Sequence, residues 1–314
     1  MNYVQKDFST KKKLESALLF ALKKQFTQTA FLFVFAFEFA FVLTVCGCTK
    51  KTVGQKDVPQ RIISLSPAGT EILFSIGAEN QIIAVSEFSD YPPEALEKTV
   101  IGGFDGKSIS LEKILSLSPD FIYLTDGMHN FMIGPLEAYG IKFYLSNASS
   151  IEAIKNEILE LGELTGHKDN AERLVKQMSK SQNEARARVL NKNGRSPRVY
   201  YEVWASPFMT AGASSFINDI ITSAGGSNIF SDLSENYPLI SEETIIARNP
   251  EFILIPQTSG LTKEQVAARI GWGELDAVKN GRIILIDDNV YTRSGPRITD
   301  CIKELSEIFG SYAG

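Results

Sequence analysis

Apolar positions along this chain alternate between two rhythms. Short runs of four or five predict strands at Arg61-Ile62-Ile63-Ser64-Leu65, Gln81 to Val85, Phe121-Ile122-Tyr123-Leu124 and Lys142 to Leu145. Between them apolar residues recur at three- and four-residue spacing and predict helices. The first opens at Ser66-Pro67, carries Ile72, Leu73 and Ile76, and stops at Gly77. Others start at Leu111 and near Pro135, and one from Ile151 to Thr165 turns Ile151, Ile154, Ile158 and Leu161 inward. Strand and helix in alternation predict parallel α/β layering.

From His167 to about Leu190 the pattern changes. Ala171, Leu174, Val175, Met178 and Ala185 mark one face, and the remaining positions are charged or amidic. This predicts a single polar helix of roughly 35 Å, closed by Gly194 and Pro197. Beyond it the first rhythm returns. Strands are expected at Arg198 to Val203, Phe252 to Ile255 and Arg282 to Ile286, with helices at Ser215 to Ala224, before Phe252, through Trp272 and Leu275, and at the C-terminus. Ser110 to Ile122 lies over Ser241 to Ile253, 131 residues later, with Ser, Glu, Ile, Pro, Phe and Ile recurring in place. Self-similarity at an offset of about half the mature length means two related lobes. The expected fold is therefore α/β: two Rossmann-like lobes with parallel sheets, 61–166 and 196–314, joined by one long α-helix across 167–195.

The N-terminus has another character. Lys11, Lys12, Lys13, Lys23 and Lys24 precede a Phe- and Ala-rich run from Thr29 to Val45, then Cys46-Gly47-Cys48. A basic stretch, an apolar stretch and a small residue before the cut form an export signal over 1–48. Cys48 after Gly47 resembles a bacterial lipobox and would be the lipidated first residue of the mature chain. A retained transmembrane anchor is the alternative. Both place the folded part outside the cytoplasm on a membrane, with polar residues 49–60 as a tether. Cys301 would then have no partner and falls on an apolar helix face, as a buried thiol does.

Charge and composition narrow the chemistry. The 314-residue chain has a net charge of −5 and no long basic run after residue 60, so nucleic acid is not an expected partner. With only His129 and His167, a histidine-built metal site lacks material, which counts against a zinc- or manganese-binding role. Ser66 lacks the Gly-x-Ser-x-Gly setting of a nucleophile and no phosphate-binding loop is present. An enzyme would have to work with Asp126, His129 or Asp288. No catalytic residue, metal or cofactor is expected.

Open parallel sheets bind ligands beyond the carboxyl ends of their strands. Two such rims facing across a gap would present Ser66, Tyr91, Phe104, Trp204, Phe208, Tyr237 and Tyr291, with some of these rings belonging instead to the lobe cores. Asp288 and Arg293 lie in the densest polar stretch of the second lobe; they could hold a ligand or merely fasten a loop. Glu112 and Glu243 follow capping serines at matching places. First-turn acids favour the helix dipole, and two symmetric surface acids also suit a two-fold partner.

Ser64-Leu65-Ser66-Pro67 with Thr70-Glu71, Asp90-Tyr91-Pro92-Pro93, Ala224-Gly225-Gly226-Ser227-Asn228 and Arg293-Ser294-Gly295-Pro296-Arg297 resemble the binding proteins for cobalamin or ferric siderophores that feed ABC importers. The likeness runs from about Pro59 to Gly314 and is greatest to the cobalamin branch. It implies aromatics at Tyr91, Phe104 and Tyr237 and polar contacts at Asp288 and Arg293 around the ligand. Phe104 and Tyr237 replace tryptophans of that branch, and Thr125 stands where another aromatic is usual. The resemblance also implies that Glu112 and Glu243 engage arginines on a dimeric permease. The resulting expectation is a monomeric, lipid-anchored, extracytoplasmic protein that captures a corrinoid and alters nothing. A ferric siderophore or haem is the alternative ligand, and a two-lobed cofactor-binding enzyme the remote alternative.

Overall fold

The computed structural model describes residues 58–103 and 108–311. The export segment, Cys48, most of the tether and Phe104 lie outside the described residues.

The first lobe runs β1 (Ile62–Ser64), α1 (Pro67–Ser75), β2 (Ile82–Val85), β3 (Thr99–Val100), α2 (Leu111–Ser116), β4 (Phe121–Thr125), α3 (Ile133–Ala138), β5 (Lys142–Ser146) and α4 (Ile151–Thr165). Its strands pair in the order β3-β2-β1-β4-β5, all parallel. Helix α5 (Lys168–Asn193) follows, about 39 Å long at 26 residues. The second lobe has β6 (Arg198–Ala205), β7 (Phe208–Thr210), α6 (Phe216–Ser223), β8 (Ser227–Asn228), α7 (Glu242–Arg248), β9 (Phe252–Pro256), α8 (Lys263–Ala267), α9 (Asp276–Lys279), β10 (Ile283–Ile286), α10 (Asp288–Tyr291) and α11 (Ile298–Ser311). Its order is β10-β9-β6-β7, with β8 also on β6. It departs from the first sheet in two places: β3 has no counterpart beyond β8 among the described residues, and β6 continues past Val203 and turns back as an antiparallel hairpin with β7.

Successive strand residues point to opposite faces. Ile62, Phe121 and Tyr123 therefore share a buried cluster with α4 and α5, and that cluster continues through Met178, Ala185 and Val189 to Val199, Phe252, Leu254 and Phe309. Ile63, Leu65, Ile122 and Leu124 face the other way with Ile114 and Leu136; Tyr200, Ile253 and Ile255 do the same with Phe230 and Trp272. Both sheets are thus covered on two sides, as parallel sheets require.

The rod is gripped closely at each end. A Cβ on Gly162 of α4 would stand 2.4 Å from the Ala171 Cβ, and one on Gly225 would stand 2.8 Å from that of Val189. Direct ties also join the lobes beside it. Ile151 donates its backbone N–H to Asp219 at 2.7 Å; Gln182 accepts from Lys155 at 2.9 Å and donates to Ser223 at 2.7 Å.

The duplication is written in hydrogen bonds as well as in sequence. Ser118 and Asn249, 131 positions apart, both take positive φ, 46° and 43°. Each offers its carbonyl to the arginine that opens its lobe's first strand: Arg61 Nε at 3.0 Å and Arg198 Nε at 2.9 Å. The acids two residues on, Asp120 and Glu251, accept the backbone N–H of the same arginines, each at 2.9 Å.

Candidate ligand-binding cleft

A cavity of about 520 Å³ opens at the carboxyl ends of the first lobe's strands. Its walls come from the β1–α1 turn (Ser66, Pro67, Ala68), the end of β4 and its loop (Tyr123, Thr125, Asp126, Met128, His129) and the end of β5 (Ser146, Asn147, Ala148). The second lobe closes it with α10 and the turn behind it: Asn289, Thr292, Arg293 and Ser294. The volume lies within the usual range of ligand pockets, and the location is where open α/β sheets bind.

Most of the polar lining is hydroxyl and amide. Tyr123 and Ser146 both donate to the buried Glu157 carboxyl behind the wall, Ser146 at 2.6 Å and Tyr123 through a short bond. Burial pushes the Glu157 carboxyl up, against the pull of the two hydroxyls. His129 is fully buried, and its Nδ1 accepts the Thr125 backbone N–H at 2.9 Å, so a neutral ring carries its proton on Nε2. Burial also holds the imidazole below its ordinary range. Among the described residues no group of histidine, cysteine and acidic side chains could hold a metal ion.

A charged cluster joins the lobes beside the cavity. Glu71, on α1 of the first lobe, is 1% exposed. Arg297 grips it with a two-pronged contact, Nε to Oε2 at 3.0 Å and Nη2 to Oε1, and Arg293 adds Nη1 to Oε1 at 3.0 Å. The same Nη1 reaches Asp90 at 2.7 Å. Partial burial works against the Asp90 charge, but the Arg293 hydrogen bond and charge outweigh it and hold the carboxyl below its ordinary value. The Arg297 guanidinium stacks 4.0 Å above the Tyr91 ring.

Of the ligand-binding residues expected from sequence, Ser66 and Arg293 line this cavity; Thr125, Asp126 and His129, also noted in the sequence, line it too. Tyr91, Trp204 and Tyr237 are exposed large rings outside its wall, and Asp288 accepts the Thr258 backbone N–H at 3.2 Å and its hydroxyl at 2.5 Å. Two rings sit elsewhere. Phe208 stacks on Trp272 at 6.1 Å under Arg269, within the second lobe's own packing. Tyr291 does not face the gap: it is 3% exposed on the inner side of the one-turn helix α10 and donates to Glu304 of α11 at 3.0 Å. Glu112 and Glu243 are both exposed at the second position of α2 and α7, behind Ser110 and Ser241, each of which accepts a backbone N–H at 3.3 Å. Glu71, Tyr123, Ser146 and Glu157 were not singled out from sequence. The only signal was Thr70-Glu71 within the resemblance.

Known proteins share this fold. Residues 62–290 match the family described as periplasmic binding protein, and the chain belongs to it. It is 30% identical over 242 residues to a vitamin B12-binding protein of Pectobacterium carotovorum, covering 77% of this chain and 85% of that one. It is 28% identical to an uncharacterized ABC transporter substrate-binding lipoprotein of Bacillus subtilis, over 84% of each chain. A solved structure from Staphylococcus epidermidis, described as a possible iron-binding (periplasmic solute-binding) protein, superposes with a TM-score of 0.70 at 29% identity, covering 80% of this chain and 98% of that one. The chain is therefore a periplasmic binding protein, extracytoplasmic and, like its homologues, a binder rather than an enzyme.

Proposed function

We propose that this protein captures a corrinoid between its lobes and delivers it to an ABC importer, held to the membrane by a lipid on Cys48. The observation that carries the ligand assignment is the cavity lining among the described residues: hydroxyls and amides from Ser66, Thr125, Asn147, Asn289 and Ser294, with one acid, Asp126, and one cation, Arg293, already paired with Glu71 and Asp90. Such a wall suits a neutral ligand rich in carboxamides. The B12-binding relative supports the same reading, and the lipoprotein relative supports the anchor. Capture consists of binding alone. Because α5 and the Ile151–Asp219 contact fix the lobes on one side, release requires the transporter to part the lobes at the cleft. Tyr91, Trp204 and Tyr237 would cover the ligand's outer faces, with Asp288 on the same rim in this reading. Glu112 and Glu243 would dock on the paired permease subunits.

The iron-binding structural relative favours a second ligand, a ferric siderophore or haem, for the same cleft. Parallel titrations of the purified protein with cyanocobalamin, a ferric hydroxamate and haem separate the two. Saturable binding of the corrinoid at micromolar concentration or below is expected. Binding of the iron ligands alone would transfer the assignment to iron uptake. Charge reversal of Glu112 and Glu243 together is expected to abolish uptake while leaving ligand affinity unchanged, as measured by transport into cells beside binding to pure protein.

A further inference from the structure

Cleft residues in a binding protein are usually asked which of them touch the ligand. Glu71 raises another question, because it spends its charge on groups that otherwise would. Its carboxylate lies on the first lobe, buried, and both arginines of the second lobe's closing turn converge on it. Arg293 is a cavity-wall residue, and Asp90 takes its outer side. Two acids thus meet two arginines, and the junction sums to zero charge. The remaining ionised side chain on the cavity wall, among the described residues, is Asp126, an acid. Among the described residues, an anion entering the cavity would meet no uncommitted cation and one carboxylate, in a partly enclosed space where charges act more strongly than in water.

We infer that Glu71 is a specificity-determining residue: by committing Arg293 and Arg297, it makes the cleft select neutral ligands over anionic ones of the same shape. This deepens the proposed function and rests on the same cavity being the binding site. Without the Glu71 charge, Arg293 on the cavity wall would keep only Asp90, at an exposed position, and Arg297 beside it would have no carboxylate, so an anionic ligand could supply the missing charge. Glu71→Gln removes the charge and keeps the shape. Asp90→Asn removes the outer partner of Arg293 at an exposed position, away from the buried acid.

The test is a ratio, measured on the full chain in detergent by equilibrium titration. Two matched pairs serve as probes: cyanocobalamin against its derivative with side-chain amides hydrolysed to carboxylates, and a neutral ferric trihydroxamate against an anionic ferric tris-catecholate. The wild type is expected to prefer the neutral member of the pair it binds by at least tenfold. Glu71→Gln is expected to narrow that preference at least tenfold, Asp90→Asn less, and raised salt is expected to restore the preference in both. A purely structural role for Glu71 would weaken both members of a pair equally and leave the ratio alone. An unchanged ratio in variants that melt cooperatively overturns the inference, as does a wild type that takes the anionic member equally well. If Glu71→Gln does not fold, Asp90→Asn decides. Selection seen only with the iron pair refutes the corrinoid assignment and upholds the role of Glu71. Binding of neither pair refutes both.

Discussion

The two lobes agree at one end and differ at the other. Where the strands begin, Arg61, Ser118 and Asp120 of the first lobe do the same work as Arg198, Asn249 and Glu251 of the second. Where the strands end, the first lobe presents buried acids and hydroxyls, Glu71, Glu157, Tyr123 and Ser146. The second presents arginines, a hairpin and large exposed rings. A duplicated scaffold kept its fastening and diverged in its chemistry, with charge on one lobe answering charge on the other.

The rod contacts should break this likeness most. Gly162 and Gly225 both let α5 approach, but Gly225 also has a φ of +89°. Gly162→Ala is expected to cost about 1–3 kcal/mol through overpacking alone. Gly225→Ala adds about 1–2 kcal/mol of backbone strain. Urea melts of the two variants should rank them in that order, and equal losses would mean that the backbone conformation carries none of the cost.

The strand-start acids come next. Glu251 is 8% exposed and takes Arg195 on both oxygens, at 2.7 and 2.6 Å, whereas the Asp120 side chain accepts only backbone N–H groups and is exposed. The Arg195 hydrogen bonds outweigh the cost of burial and hold the Glu251 carboxyl down at about 2, against an ordinary 4.5. A folded value below the unfolded one stabilises above the unfolded value, and that stability disappears as pH falls from about 4.5 toward 2. With the arginines partly in solvent, the amount is roughly 2–3 kcal/mol. Acid melts of Glu251→Gln should therefore be flatter than those of the native protein across that window. Parallel acid limbs for native protein and Glu251→Gln would show that the pair contributes nothing.

These contrasts also explain what could be read from the chain alone. Strand alternation and the 131-residue repeat carry the two lobes, the rod and the matching Ser-Glu helix starts, because each is local or internally repeated. The hairpin escaped because Ala205-Ser206-Pro207-Phe208 reads as a loop at a strand's end. Tyr291 was placed in the gap because a dense polar stretch hides which side of a single helical turn faces inward. Glu71 looked like an ordinary residue of a short helix. Its burial makes sense only beside two arginines more than 200 residues away, and no window of sequence holds both. Tyr123 and Glu157 stand 34 positions apart, a strand tyrosine and a helix acid that meet only after folding.

The smallest effect should be the most symmetric. Ser110→Ala and Ser241→Ala each remove a helix cap and are expected to cost about 1 kcal/mol apiece. Thermal melts of the two variants should fall by matching amounts. A clear excess in one lobe would place that helix start in some further contact.

Capture between the lobes is tested most directly by filling the cavity. Ala148 lines it from the first lobe, and a tryptophan there would occupy ligand space without altering a charge. Equilibrium dialysis with cyanocobalamin should give one corrinoid per native chain, and none for an Ala148→Trp variant that melts within a few degrees of the native protein. Undiminished binding by that variant, or no binding by the native chain, would contradict capture in this cleft.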